Sequence, residues 1–415
     1  MKAGIGRVCI TPPLGLELAG YGYDLGRKAA SVLDDLYVTC LALEAENRRG
    51  FIINCDLLGL SLETVLKTRE RITDEQGVSD EYILFLSTHT HTGPAANDLV
   101  GCGERDNIYV TALPGKMAEA AALAVADLKP VNRLLTAVNE IEPVGYNRTR
   151  QDGPEDHFVR GFVLEREGGK PIAAANYGCH PVTLGQSAAI SADYPGRVCS
   201  TLRQRGYEGV FFTGVCGDID PVSNKGKWGS GTEKTINEYG LRIAEGLLEN
   251  LHEACLGTLE AAILHPVLPL EVYDEARVHQ EAMNAAAQNP DVQRVAAVWQ
   301  DDILARLPGM TFREESTVHA MRFGDVLVTG ISYEVFTDFG IVIRKAFPEM
   351  TCLVCGNGES TLGYLPTTDD IISRNYASIG SAFIYRRLPP ALSGPEAFSE
   401  EMVSELRRFL YMQRH

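Results

Sequence analysis

The run Leu84-Phe85-Leu86-Ser87-Thr88-His89-Thr90-His91-Thr92-Gly93-Pro94 carries an apolar strand straight into a His-x-His pair and stops it with Gly-Pro. Both imidazoles therefore stand at the carboxyl end of a strand, where open α/β sheets place their sites. If the chain stays extended there, alternation puts His89 and His91 on one side, so that one can bind a metal while the other faces a substrate. A second apolar strand, Ala173-Ala174-Ala175-Asn176-Tyr177, delivers His180 just ahead of Pro181. One such histidine alone is more often bonded to a loop carbonyl. Its recurrence at separate strand ends points to a metal, for which neutral imidazole is the commonest ligand.

Other polar residues at strand ends carry weaker signals. Asp56 follows the apolar run 51–55, and Asp218 and Asp220 lie in Gly217-Asp218-Ile219-Asp220-Pro221. Carboxylates in these positions either ligate a metal, orient a ligand imidazole, or simply cap turns. Glu334 opens a helix directly after a buried strand, where a plain favourable charge at a helix N-terminus is the simpler reading. Tyr364 sits beside Gly363 and ahead of Pro366, like many half-buried aromatics. Cys179 next to His180 suggests a thiol nucleophile, but neighbours in a strand face opposite sides and do not form a pair. No G-x-S-x-G element supports a serine hydrolase.

The elements that must position these residues follow from periodicity. Short apolar runs at 5–10, 36–44, 51–56, 82–87, 158–165, 171–177, 210–215 and 326–331 predict strands, and 3.6-residue periodicity predicts helices at 62–76, 114–127, 194–205, 233–251, 335–346 and 395–410. This alternation describes an α/β protein, a single large domain with a mixed, largely buried β-sheet flanked by helices. An Ala- and Gln-rich stretch, 276–305, reads as two helices divided at Pro290, either scaffold or an inserted cover for the site. No repeat or linker divides the 415 residues.

Composition excludes several classes of function. With 45% apolar and 22% charged residues the chain has ordinary globular usage, and a formal charge of -17 repels phosphate backbones and anionic lipid surfaces. Nucleic acid is not expected as a partner, and no apolar run approaches the ~20 residues of a membrane span. The opening Met1-Lys2-Ala3-Gly4-Ile5-Gly6 enters a strand without the apolar region of an export signal, and ten cysteines in that setting read as reduced thiols, so a cytoplasmic location is expected. Cys352 and Cys355 form an isolated CxxC, read as two thiols in a buried strand. Nothing in the sequence sets an oligomeric state.

Taken in order along the chain, the motifs resemble those of the neutral/alkaline, non-lysosomal ceramidase family. The resemblance rests on Ala3-Gly4-Ile5-Gly6-Arg7 with Thr11-Pro12 and Gly20-Tyr21-Gly22, on Thr88-His89-Thr90-His91-Thr92-Gly93-Pro94, and on Asn147-Arg148. It continues through His180, Gly217-Asp218 with Pro221, Glu334, Gly363-Tyr364 and Thr367-Thr368. It covers most of the chain. It implies a Zn²⁺ held by His89, His180, Glu334 and Tyr364, with His91 and Arg148 lining the substrate side. The implied activity is hydrolysis of an N-acyl amide bond by a zinc-activated water, with His91 moving a proton to the leaving amine and Arg148 holding a polar group of the substrate. The chain is shorter than family members, shows no carboxy-terminal β-sandwich, and has Asn375-Tyr376-Ala377 where the family carries Tyr-Glu-Gly. The expected substrate is accordingly a small N-acyl molecule more soluble than ceramide. Ester or lactone hydrolysis, and a non-catalytic binding role for a metal-stiffened pocket, are the alternatives.

Overall fold

Strand Lys2–Cys9 carries Gly4 and Gly6 where a helix lies directly on its backbone. A Cβ at Gly4 would stand 2.0 Å from the carbonyl oxygen of Ala124, and one at Gly6 2.0 Å from that of Ala120. The helix is α2, Asn107–Ala126, which buries Leu113, Met117, Ala118, Ala120, Ala121 and Ala124. Among the described helices it alone is long and apolar enough to cross a membrane by length and composition, and here that apolarity is used against the sheet. Its start differs from the one expected at residue 114. Asp106 caps it by accepting from the Tyr109 amide, and Pro114 lies inside it. That cap and the buried Tyr109 and Leu113 offset the backbone bond that an interior proline deletes, a loss of about 3 kcal/mol.

The computed structural model describes residues 1–23, 25–288 and 290–411. Its nine-stranded mixed sheet runs in the order Glu208–Thr213, Ile172–Tyr177, Phe158–Arg166, Lys129–Glu140, Lys2–Cys9, Tyr37–Ala45, Arg48–Cys55, Ile83–Ser87, with His252–Ala254 added beside Lys129–Glu140. One half of the outer face is covered by α1 (Leu62–Gln76) and α2, the other by α3 (Asp193–Gln204) and α4 (Glu233–Leu248). Against the inner face packs a second sheet of four strands, Leu259–Leu264, Val318–Phe323, Val326–Ile331 and Thr351–Cys355. The far side of that sheet is covered by α7 (Thr337–Ala346) and α10 (Gly394–Tyr411). Helices α5 (Glu275–Gln288) and α6 (Gln293–Arg306) form a pair whose buried Trp299 packs on the short α9 (Ser381–Ile384), while α8 (Thr368–Ile372) follows the Tyr364 loop. This is the layered α/β architecture that the sequence pattern predicts.

Curvature of the large sheet brings its two edge strands together. Thr213 Oγ1 donates to the Thr88 carbonyl at 2.8 Å and Asn54 Nδ2 to the Phe211 carbonyl at 3.0 Å. The pairs Arg48–Cys55 with Ile83–Ser87, Ile172–Tyr177 with Glu208–Thr213, and Val326–Ile331 with Thr351–Cys355 are all parallel. The segments carrying His89, His180, Glu334 and Tyr364 all follow the carboxyl ends of these strands, so that rim holds the polar residues.

Among the strands absent from the sequence expectation, those of six residues or more are Lys129–Glu140, Leu259–Leu264 and Val318–Phe323. Cys352 and Cys355 do lie in a buried strand as free thiols, facing opposite sheet faces, and burial pushes the Cys352 thiol up to about 12. A redox pair is thereby ruled out by direction as well as by reactivity.

The contact between α2 and the first strand is testable. Gly6→Ala should lower stability by about 1–3 kcal/mol, because the helix must retreat from its close seat. A urea midpoint that falls with an unchanged slope is the expected result; an unchanged midpoint would show that the helix yields freely.

Candidate metal centre

The strand Ile83–Ser87 ends two residues before His89, and His89 itself lies in the left-handed region at φ 64°. The extended continuation expected from strand alternation is therefore not what aligns His89 with His91. A turn does it instead, fixed by His89 N–H donating to the Leu57 carbonyl at 2.9 Å and by a 2.7 Å bond between Nδ1 and the Leu58 carbonyl. Such backbone strain, about 1–3 kcal/mol, persists because these bonds over-determine the turn. Thr90 and Thr92 hydroxyls both donate to the Ser191 carbonyl, at 2.7 and 2.8 Å, and hold the rest of the loop. Gly20, at φ 113°, lets the chain pass over the His91 ring, since a Cβ there would meet it at 2.5 Å. The Tyr21 ring covers His91 at 5.1 Å.

His180 is fully buried, its Nδ1 bonded to the Cys216 carbonyl at 2.5 Å and its amide donating to the Ile219 carbonyl at 2.9 Å. Glu334 and Tyr364 come from segments that pair in parallel, Glu334 directly opposite Tyr364. Residues in register share a face, so the pairing delivers carboxylate and phenol to one place. The Glu334 Oε2 atom lies 3.0 Å from His180 Nε2 and 3.3 Å from His89 Nε2. The ligand atoms of His89, His91 and His180 all lie within 4.8 Å of one another, and this buried group could hold a metal ion.

Proton placement supports that reading. Carbonyl oxygens only accept, so Nδ1 of both His89 and His180 carries a proton, and in the neutral form of each ring the lone pair is at Nε2. Burial, with help from the Arg148 charge, holds the His180 pKa below the usual histidine range despite Glu334. Burial pushes the Glu334 carboxyl upward, but the His89 and His180 imidazoles outweigh it and keep it well below the usual range. Without a cation these contacts are hydrogen bonds to the carboxylate; with both rings neutral, the same three atoms would form the donor arrangement a cation satisfies. His91 is also buried with neither ring nitrogen hydrogen-bonded in the protein. Burial and the neighbouring imidazoles hold it well below the usual range, as a neutral base.

His89, His91, His180, Glu334, Tyr364 and Arg148 lie in this cluster or touch it, whereas Asp56 does not. Tyr364 stacks parallel to His180 at 6.5 Å, and burial and Glu334 push its hydroxyl well above the usual range. Arg148 Nη2 donates to Tyr364 Oη at 3.2 Å and to the Gly217 carbonyl at 2.8 Å, and its Nη1 pairs with Asp220 at 3.1 Å. Only Nε and one N–H of Nη1 remain for a substrate. Asp218 bonds the Thr337 amide and hydroxyl and Asn147 Nδ2, which ties α7 to the Arg148 loop. Asp56 accepts from the Tyr37 amide and lines a separate cavity beside Arg7 and Arg203. Cys179 is buried with its thiol pushed well above the usual range, which removes it as a nucleophile. Sequence reasoning did not find Tyr385, whose hydroxyl donates to Glu334 Oε1 at 2.5 Å.

A buried network pins the loop that leads to Tyr364. Glu359 accepts from Arg69 at 2.6 Å, from the Phe85 amide at 3.3 Å, and bonds His319 Nδ1 at 3.0 Å. It therefore joins α1, the strand ahead of His89, and the second sheet.

Fold and site together define a two-sheet α/β scaffold with a buried imidazole and carboxylate cluster on the carboxyl rim of its parallel strands. No protein-family model and no curated protein matches the sequence. Solved structures do match: neutral ceramidase from Pseudomonas aeruginosa superposes with a TM-score of 0.76, at 17% identity, over 97% of this chain and 73% of that one. A ceramidase complexed with C2 gives 0.74 at 16% identity, over 98% and 75%. The chain has the fold of the neutral ceramidases.

Removing the guanidinium from the network should be costly. Arg69→Met leaves the Glu359 carboxylate buried beside His319 alone, and a loss of about 3–5 kcal/mol is expected in urea unfolding. A change under about 1 kcal/mol would show that solvent reaches Glu359.

Proposed function

We propose that this chain is a zinc-dependent hydrolase of N-acyl amide bonds. The observation that carries the reading is the convergence of His89 Nε2, His180 Nε2 and Glu334 Oε2 at 3.0–3.3 Å in a buried cluster whose imidazoles are anchored through Nδ1. Imidazole nitrogens with a carboxylate suit Zn²⁺, and a phenol at Tyr364 stands ready to complete the set. The shared fold with neutral ceramidase supports amide hydrolysis as the chemistry. His89, His180, Glu334 and Tyr364 would hold the ion. When bound, zinc supplies a Lewis acid that polarises a carbonyl and makes water a nucleophile near neutral pH.

The remaining roles belong to this chain's own groups. His91, neutral and unpartnered, accepts a proton at a ring nitrogen and returns it to the leaving amine. Arg148 orients the Tyr364 hydroxyl while Asp220 balances its charge. Tyr21 and Gly20 close over His91 and exclude water from that side.

Access determines the substrate. A cavity of ≈ 320 Å³ is lined by Arg148, Thr149, Asn375, Tyr376 and Ala377, large enough for a small molecule and mostly polar. Across Tyr376 lies a second cavity of ≈ 480 Å³ whose wall mixes Glu281, Asn284 and Arg374 with Val292, Ile379 and Phe383. Charged and amide groups interrupt its apolar surface, which suits a short N-acyl compound with polar substituents better than a long unbroken acyl chain.

Elemental analysis of protein purified without added metal should find about one zinc per chain. His89→Ala and His180→Ala should empty the site, Tyr364→Phe should weaken binding and turnover together, and His91→Ala should keep the metal while kcat falls by about 10²–10⁴. Full zinc occupancy in both the His89 and His180 variants overturns the ligand assignment.

Rates on a series of N-acyl amines of increasing chain length, with and without chelator, address the substrate. Short-chain compounds should be cleaved faster, and chelation should abolish both activities. A marked preference for long-chain ceramide in detergent would show the polar cavities to be misjudged.

A further inference from the structure

Glu334 has two oxygens with different surroundings. Oε2 faces His89 and His180, while Oε1 accepts from Tyr385, a residue 51 positions further along the chain. The Tyr385 ring stands edge-on to Tyr364, with centroids 6.4 Å apart and an interplanar angle of 87°, so it also bounds the phenol opposite Glu334.

Tyr385 does not reach this place by chance of a loose loop. It directly follows α9, and the segment after it is tied to the helical pair: Trp299 Nε1 donates to the Arg387 carbonyl at 2.8 Å, and the Trp299 and Phe383 rings meet at 4.7 Å. Arg387 Nη1 in turn donates to the Tyr364 carbonyl at 3.3 Å, and its Nη2 lies 3.1 Å from Glu314. Ile384 accepts from the Val100 amide at 3.0 Å. Tyr385 is therefore held from several sides while its hydroxyl is aimed at a single atom.

We infer that Tyr385 is the positioning residue for Glu334, engaging Oε1 so that Oε2 alone is presented to the ion. The inference rests on the proposed role of Glu334 as a zinc ligand. A carboxylate without that hydroxyl is free to rotate or to offer both oxygens, and partners that orient a metal ligand typically contribute 10–100-fold in affinity or activity. The helical pair α5–α6 then has a function beyond cover, since Trp299 fixes the segment from which Tyr385 projects.

Tyr385→Phe removes only the hydroxyl and keeps the ring. Zinc affinity, measured by competition with a chromophoric chelator, should weaken by about 10–100-fold, and kcat should fall with KM nearly unchanged. The visible spectrum of the Co²⁺-substituted variant should differ from that of the Co²⁺-substituted wild type, a change that a purely structural tyrosine would not produce. In a Glu334→Ala background the same substitution should have no further effect on zinc affinity, because the coupling runs through that carboxylate. Equal zinc affinities and identical Co²⁺ spectra for wild type and Tyr385→Phe would overturn the inference while leaving the zinc site intact. A wild-type chain that binds no zinc would overturn the proposed function and this inference with it.

Discussion

The centre depends on two hydrogen bonds that point away from it. The carbonyls of Leu58 and Cys216 each take the Nδ1 proton of an imidazole, and this alone turns the lone pairs of His89 and His180 toward Glu334. Were either ring to hold its proton on Nε2 instead, that nitrogen would hydrogen-bond the carboxylate and the cation site would be lost. Both carbonyls belong to segments that leave parallel strands, so the tautomers are set by the backbone of the rim. Its rigidity is transmitted to each imidazole through a single hydrogen bond.

That rim exists because the large sheet curls until its edges touch. The edge strand ahead of His89 meets the one ahead of Cys216 through Thr213 and Thr88, and the second sheet fills the concave side with Met321, Phe323, Val328 and Leu353. Burial of that interface is the term that keeps the edges together; apolar area removed from water is worth roughly 25 cal/mol per Å², whereas each cross-edge hydrogen bond adds only about 1 kcal/mol net. The geometry of the cluster is thus a by-product of sheet packing, with side-chain bonds adjusting the last ångström.

The histidines were legible in the sequence because each follows an apolar run and precedes a proline or Gly-Pro stop, a local signal. Glu334 and Tyr364 carried no such signal by themselves, and only the family resemblance joined them. What joins them physically is a parallel pairing between residues 30 positions apart, with Glu334 opposite Tyr364, and parallel register leaves no trace in either segment alone. The strand Val318–Phe323 escaped notice because His319 and Arg322 interrupt its apolar character. His319 is buried because Glu359, brought in from a distant loop, and the Glu81 carbonyl bond its two ring nitrogens. Tyr385 was invisible for the same reason, its one informative bond being to a residue far earlier in the chain. The zinc, hydrolytic and substrate assignments go beyond the fold, and they rest on donor chemistry and cavity lining.

The charges of the cluster explain why a phenol belongs in it. Arg148 and Asp220 form a nearly closed ion pair and cancel, which leaves the Glu334 charge to be met by the imidazoles of His89 and His180. An isolated buried carboxylate is unfavourable by several kcal/mol, so without a cation the protein relies on hydrogen bonds from these rings to hold it. A divalent ion held by neutral imidazoles and the carboxylate would leave the cluster with one net positive charge. Loss of the Tyr364 proton would then restore neutrality, and Arg148, already hydrogen-bonded to that oxygen, would stabilise a phenolate there. Neither a carboxylate nor a neutral amide at position 364 has this property: the first would deepen the imbalance when the ion is absent, and the second could not correct it when the ion is present. On the proposed zinc reading, a tyrosine would be neutral in the one state and anionic in the other, and that adaptability is what position 364 would need.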